Sequence, residues 1–234
     1  MAFLQSVPPR QPFFRAPAIV LWLIGLLAVL HLWRVTRPGD QPQALIYQFG
    51  FYPPRYSDPV GQHLWERVVP FISYMGVHND WTHLIINSLW LLAFAPIVAR
   101  RWGTALFLLF FGICGVAGAA TYLAFNWASP LPVVGASGAI SGLMAAALRM
   151  LPGQTPWAVP GETPLAPLYS RQMLVFTLLW AGINLLTGLT GLGMGGDSGL
   201  IAWQAHLGGF LAGLLLAGPF DILRPRSVGT PVDR

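Results

Sequence analysis

Six apolar runs, at roughly 17–33, 81–99, 104–125, 136–151, 172–192 and 199–219, dominate the chain and leave little else to fold. About 20 apolar residues suffice to carry a helix across a hydrocarbon core ~30 Å thick. Lipid offers no partner to an exposed backbone N–H or C=O, so uninterrupted runs of this kind specify helices that satisfy their own hydrogen bonds. The expected fold class is an all-α membrane protein, a bundle of six transmembrane helices. Only 9% of the residues are charged, against about a quarter in soluble domains, too few to clothe a water-facing surface. The domain reading is a tail over 1–16, a six-helix domain over 17–219 with a long first loop at about 34–80, and a second tail over 220–234.

All 13 basic residues are arginines, and the formal charge is +5. They are scattered between the runs and form no stripe with interleaved aromatics, which sets nucleic-acid binding aside. Their distribution orients the chain instead, because positive charge resists translocation. With both termini inside, Arg10, Arg15, Arg100, Arg101, Arg149, Arg171, Arg224, Arg226 and Arg234 fall on the cytoplasmic side, and Arg34, Arg37, Arg55 and Arg67 lie outside, all in the first loop. The first run is followed by Arg34, Arg37 and Pro38, not by a small-residue cleavage site, and reads as an anchor with the mature chain beginning close to Met1. The lone Cys114 excludes a disulfide framework or a Cys-rich zinc site.

The first loop holds no spanning run and reads as short amphipathic pieces in the interface, with Trp33, Tyr47, Tyr52 and Trp65 at headgroup depth. The segment 126–135 is apolar, carries Pro130 and Pro132, and runs straight into the fourth span. If it dips into the membrane, its irregular backbone needs protein or a water-filled cavity beside it, which implies a cavity near Ser137.

Polar groups inside spans are costly and are functional candidates by default. In the second span His83 and Asn87 lie one turn apart on one face, with His78 five residues earlier and Asn79 or Asp80 placed to cap the helix. At the start of the fourth, Gly135-Ala136-Ser137-Gly138-Ala139-Ile140-Ser141-Gly142 sets two serines a turn apart. In the sixth, Ala202-Trp203-Gln204-Ala205-His206-Leu207-Gly208-Gly209 centres a histidine. Each cluster also has a purely structural reading. Small residues four apart, Gly138 with Gly142 and Gly209 with Gly213, are packing devices, and His83 with Asn87 could simply bridge helices. His31 and His63 read as ordinary surface residues.

The two readings of the glycines support each other. Ala202, His206, Gly209 and Gly213 share one helical face, and Ser137, Ser141 and Ala145 share another flanked by Gly138 and Gly142. Two such faces approach closely enough to bring a serine hydroxyl within hydrogen-bond reach, about 2.6–3.2 Å, of an imidazole. Here the chain resembles the rhomboid family of intramembrane serine proteases. The resemblance rests on Gly135-Ala136-Ser137-Gly138, on Ala205-His206-Leu207-Gly208, and on His78, His83 and Asn87, in matching order and spacing, and it covers the second to sixth spans.

The resemblance implies a six-helix rhomboid bundle, Ser137 as nucleophile and His206 as base of a two-residue dyad. It also implies an oxyanion hole made by His83, Asn87 and the backbone N–H of Ser137, with His78, Gly135, Gly138, Ser141 and Gly209 in support. No acidic residue stands within a span to complete a triad, and alanine at 139 breaks the Gly-x-Ser-x-Gly elbow of soluble hydrolases. Ser141 occupies a position where some members carry an aromatic residue packed on the base, so Trp203, Gly138 or Ser141 is left to hold His206. The family's Trp-Arg pair is replaced by Trp65-Glu66-Arg67. The implied partners are transmembrane protein substrates and the lipid bilayer, with no cofactor and no metal. A catalytically inactive rhomboid-like binder of transmembrane clients is the alternative, and a transporter fits less well, since no internal repeat and no intramembrane acid is present. Six spans with short tails and no acylation motif point to a bacterial inner membrane.

Overall fold

The computed structural model describes residues 16–57, 63–151, 163–190 and 202–224. The outer parts of both tails and the start of the sixth run, 199–201, lie outside these. Among the described residues the regular structure is all helical, joined by irregular segments such as 126–135, with a single bridge pair, Phe51 with Val133.

Helix α1, Ala18–Val35, takes up the first run. The first loop then folds into α2 (Gln41–Phe49), α3 (Pro54–Ser57), α4 (Leu64–Val68), α5 (Pro70–Ser73) and a tight 3-10 turn over Tyr74–Gly76. These are short pieces, as expected; Tyr47 and Trp65 are exposed on them, and Trp33 is exposed near the end of α1. Arg34, at the end of α1, donates to the carbonyls of His78 (2.7 Å), Asn79 (2.8 Å) and Pro42 (3.2 Å). The carbonyls of His78 and Asn79, which lie outside any helix, are thereby satisfied by a buried guanidinium, and the loop's end is tied to the first helix.

The second and third runs form one helical stretch, α6, Trp81–Phe125. It starts where expected, with Asp80 Oδ1 accepting the N–H of His83 at 2.8 Å. A straight helix of this length would be about 67 Å long, over twice the hydrocarbon core. It is instead broken at Gly103, whose φ of 76° and ψ of 173° lie in a region that glycine tolerates and other residues rarely adopt.

Helix α7, Ser137–Met150, is short and lies at the centre, with twelve of its fourteen residues buried. Helices α8, Arg171–Thr190, and α9, Trp203–Leu223, complete the bundle. Arg101, just before the break in α6, pairs with Asp221 at the end of α9, while Phe125 at the end of α6 meets Trp203 at the start of α9. The second arm of α6 and α9 therefore run antiparallel. The first arm begins beside the start of α7, where His83 meets Gly135.

Four of the helices, α1, α6, α8 and α9, are long and apolar enough to cross a membrane. Helix α7 spans about 21 Å and is buried by its neighbours, not by lipid. All six apolar runs of the sequence are thus helical where described, and the molecule is a multi-pass integral membrane bundle.

Candidate active site

The meeting of α7 and α9 is governed by what glycine leaves out. A Cβ at Gly209 would overlap the carbonyl oxygen of Gly138, and one at Gly213 would overlap that of Gly142. A Cβ at Gly142 would in turn strike Cys114 on α6 and come within 2.8 Å of Gly209 O. Backbone therefore lies on backbone, as small-residue faces permit in membranes. The phenol of Tyr74, donating to Gly115 O at 2.8 Å, closes the same junction from the first loop.

This approach brings Ser137, the first residue of α7, to His206, on the second turn of α9. Ser137 Oγ and His206 Nε2 are 2.7 Å apart. The pairing joins residues 69 apart in sequence, within the hydrogen-bond reach that the small-residue faces allow. The helix start also leaves the N–H of Ser137 without an intrahelical acceptor.

His83 and Asn87 arrive from the first arm of α6. Gly135 has a φ of 107°, and a Cβ there would lie 2.6 Å from His83 Nε2 and 3.3 Å from Asn87 Nδ2. Both side chains are thus aimed at the backbone two residues before Ser137. Asn87 is 2% exposed and its Nδ2 has no hydrogen-bond partner. A buried amide donor without a partner costs about 1–3 kcal/mol. The segment ahead of α7 is anchored by the Phe51–Val133 bridge and by Gly135 N–H on Tyr74 O at 2.9 Å.

His78 is wholly buried, its ring 5.1 Å from that of His83 and edge-on to it. Burial, reinforced by the neighbouring His83, pushes it down to about 3. Its contact is with the His83 ring, and neither of its ring nitrogens has a hydrogen-bond partner. Two expectations are corrected. Ser141 does not hold the base, because its hydroxyl donates to Ser137 O at 2.8 Å. His31 is not a surface residue, being 1% exposed and packed edge-on against Trp81 at 4.6 Å between ring centres.

The residue missed from the sequence is Asn184 on α8. Its Oδ1 lies 2.8 Å from His206 Nδ1, and its Nδ2 donates to Trp203 O at 3.0 Å. It carries no charge and so does not stand out as an acidic third member would. The cost of a polar side chain within a span would have flagged it, with Gly188 one turn later on the same face. That glycine seats the ring of Trp203 against α8.

A polytopic helical bundle that holds a serine hydroxyl against an imidazole between glycine-faced helices defines the class of molecule, a multi-pass membrane protein with a serine–histidine pair at a helix junction. A model of the Rhomboid domain matches residues 62–220, more than half of the chain. The chain belongs to the rhomboid family. Among its relatives is the protein named "Putative rhomboid protease YdcA" from Bacillus subtilis (strain 168), 32% identical over 155 residues, covering 60% of this chain and 66% of that protein. Another is "Rhomboid protease GluP" from the same organism, 27% identical over 166 residues, covering 70% of this chain and 28% of that protein. The chain thus spans just under two thirds of one curated relative and little more than a quarter of the other.

Proposed function

We propose that this chain is an intramembrane serine endopeptidase that cuts transmembrane-helix substrates within or beside the bilayer. The observation that carries the reading is the 2.7 Å contact between Ser137 Oγ and His206 Nε2. In the first step Ser137 Oγ bonds to the scissile carbonyl carbon while its proton passes to His206 Nε2. The carbonyl oxygen becomes an oxyanion, received by His83, the open Asn87 Nδ2–H and the N–H of Ser137, with the positive end of the α7 dipole behind them. Collapse of the intermediate breaks the C–N bond, and His206 returns its proton to the leaving amine. Water then attacks the acyl-serine, again giving a proton to His206, and the released serine recovers it.

A helix must unwind locally before its backbone can reach such a site. Substrates with Gly, Pro or small residues near the outer interface are therefore the class proposed. The arginine distribution supports both termini on the cytoplasmic side of a bacterial inner membrane, with six crossings. Single cysteines placed in a Cys114-free background test this. Those in 34–80 are expected to react from outside, and a residue beside Arg171 that reacts from outside would contradict it.

The activity is tested by reconstituting purified protein with membrane-anchored reporter substrates and by labelling with a fluorophosphonate. Cleavage and labelling by the wild type, both abolished in Ser137→Ala with expression intact, are the expected results. Wild-type turnover by Ser137→Ala would move the nucleophile to Ser141. A wild type that neither labels nor cleaves, yet retains a transmembrane client, would favour the inactive binder.

A further inference from the structure

A serine can pass its proton only to an imidazole nitrogen that carries a lone pair, so the tautomer of His206 decides whether the 2.7 Å contact is productive. The surroundings of Asn184 settle which tautomer is held. Its two polar atoms face two groups, and one of them, the carbonyl oxygen of Trp203, can only accept. The Asn184 amide must therefore turn its NH2 toward Trp203 O, at 3.0 Å. The carbonyl Oδ1 is left facing His206 Nδ1 at 2.8 Å. Because Oδ1 can only accept, Nδ1 must carry the hydrogen, and Nε2 is left bare opposite Ser137 Oγ.

We propose that Asn184 is a positioning residue for His206: it orients the imidazole, fixes the Nδ1–H tautomer and so keeps Nε2 as the proton acceptor. This rests on the protease reading and adds a third member to the pair. The arrangement is self-consistent only for an amide. A carboxylate at 184 would still accept from Nδ1 but would set a second acceptor against Trp203 O and bring an unpaired charge into a span. An aliphatic side chain would release both contacts and let the ring rotate or exchange its proton.

The placement of Asn184 argues against a merely structural bridge. It is one of only three buried residues on α8, with Met173 and Gly188. Gly188, one turn later, lets the Trp203 ring lie against the helix, which brings the Trp203 carbonyl within reach of the amide. Ser137, His206 and Asn184 thus form a continuous relay from α7 through α9 to α8.

The test compares Asn184→Leu and Asn184→Asp with the wild type in the full chain. Leucine is close to asparagine in size and removes both polar contacts of the buried side chain, and Asn184→Leu is expected to lower kcat on the order of 100-fold with KM little changed. That stays below the about 10⁴-fold loss seen when a triad acid is replaced and the wrong tautomer results, since a neutral amide supplies orientation without charge. Asn184→Asp keeps the acceptor and is expected to recover part of the loss in kcat. A structural bridge would instead lower the melting temperature of both variants and leave the turnover of the folded fraction unchanged.

Nitrogen-15 NMR of histidine-labelled protein gives a readout independent of activity. His206 is expected to show a protonated Nδ1 and a bare Nε2 in the wild type, and a mixture or reversal in Asn184→Leu. A protonated Nε2 in the wild type, or full turnover by folded Asn184→Leu, overturns the inference. If Ser137→Ala is inactive while Asn184→Leu is fully active, this inference alone falls. If Ser137→Ala cleaves normally, the assignment of Ser137 as nucleophile falls, and the tautomer measurement still decides the role of Asn184.

Discussion

Helix α9 meets α7 on one side and α8 on the other, and the two contacts are built on opposite principles. Toward α7 it presents Gly209 and Gly213, whose missing side chains let backbone touch backbone. Toward α8 it presents Phe210, stacked on Trp180 with ring centres 4.1 Å apart, and His206, held by Asn184. Twelve of the fourteen residues of α7 are buried but only three of the twenty of α8. The tight contact sets the distance between serine and imidazole, which tolerates no extra atom. The loose contact sets the direction of the imidazole through one amide. A site of this kind separates reach from orientation and assigns each to a different helix.

The largest effect is expected from forcing the tight contact apart. Gly209→Ala introduces a Cβ onto the carbonyl oxygen of Gly138, and neither partner is a side chain that can swing away. Overpacking of ordinary cores costs about 1–3 kcal/mol, and relief here requires moving a whole helix. Cleavage and fluorophosphonate labelling are expected to be lost together, with a lowered melting temperature. Full labelling by Gly209→Ala would show that the spacing is adjustable, and the contrast with α8 would lose its basis.

The next effect separates chemistry from packing on the α6 side of α7. Replacing Asn87 by alanine removes the open donor beside Gly135. A donor to the oxyanion alone would cost about 10- to 1000-fold in kcat with substrate affinity nearly unchanged. A plain helix bridge would cost stability and leave the folded enzyme's single-turnover rate near normal. Melting temperature and single-turnover rate measured on Asn87→Ala distinguish them, and a destabilised but fully active variant removes Asn87 from the oxyanion hole.

Much of the tight side was legible in the sequence, because its signals are local. Ser137 and Gly138, His206 and Gly209, and His83 and Asn87 each sit within one turn of one another, and the helical repeat alone says which share a face. Asn184 was not legible in the same way. Its meaning depends on Nδ1 of a residue 22 positions later and on a backbone carbonyl, and nothing periodic links them. His31 misled for a similar reason. Its position near the end of a span suggests solvent, whereas the fold lays it against Trp81. The apolar runs stop at 99 and resume at 104, yet helical geometry continues through Arg100–Gly103 with only Gly103 departing.

Acid should act on the two sides unequally. Among the described residues of α8 the only ionisable side chain that carries charge near neutrality is Arg171 at its start, so nothing on that helix titrates between pH 3 and 7. His78 lies beneath His83 and is held down to about 3, against an ordinary 6.5. The unfolded state therefore takes up a proton as pH falls through about 6.5, while the folded state resists until about 3. The stability contributed by neutral His78 is complete above the higher value and is lost progressively as pH falls across that window. The melting temperature in detergent is expected to drop by several degrees between pH 7 and 4.5, and His78→Phe should flatten that slope. An unchanged slope in His78→Phe would assign the acid response elsewhere.

The smallest effect is expected from loosening α8 without touching Asn184. Trp180 stacks on the buried Phe210 at 15° between ring planes, and Trp180→Ala removes that contact. Aromatic pairs contribute about 0.5–1.5 kcal/mol beyond area burial. In a bilayer the truncated ring is replaced by lipid tails that are themselves apolar, so no hydrophobic penalty is added. A melting-temperature shift of a few degrees at most is expected, with kcat lowered only as far as α8 drifts and lengthens the Asn184–His206 hydrogen bond. Carrying the stacking loss in the Asn184→Leu background sharpens the point. If Trp180 acts through Asn184, the double variant should be no slower than Asn184→Leu alone, because the bond it would lengthen is already gone. Additive losses would mean that α8 orients the base by a second route. A loss as severe as that of Gly209→Ala would mean that α8 is held as tightly as α7, and the division between reach and orientation would have to be abandoned.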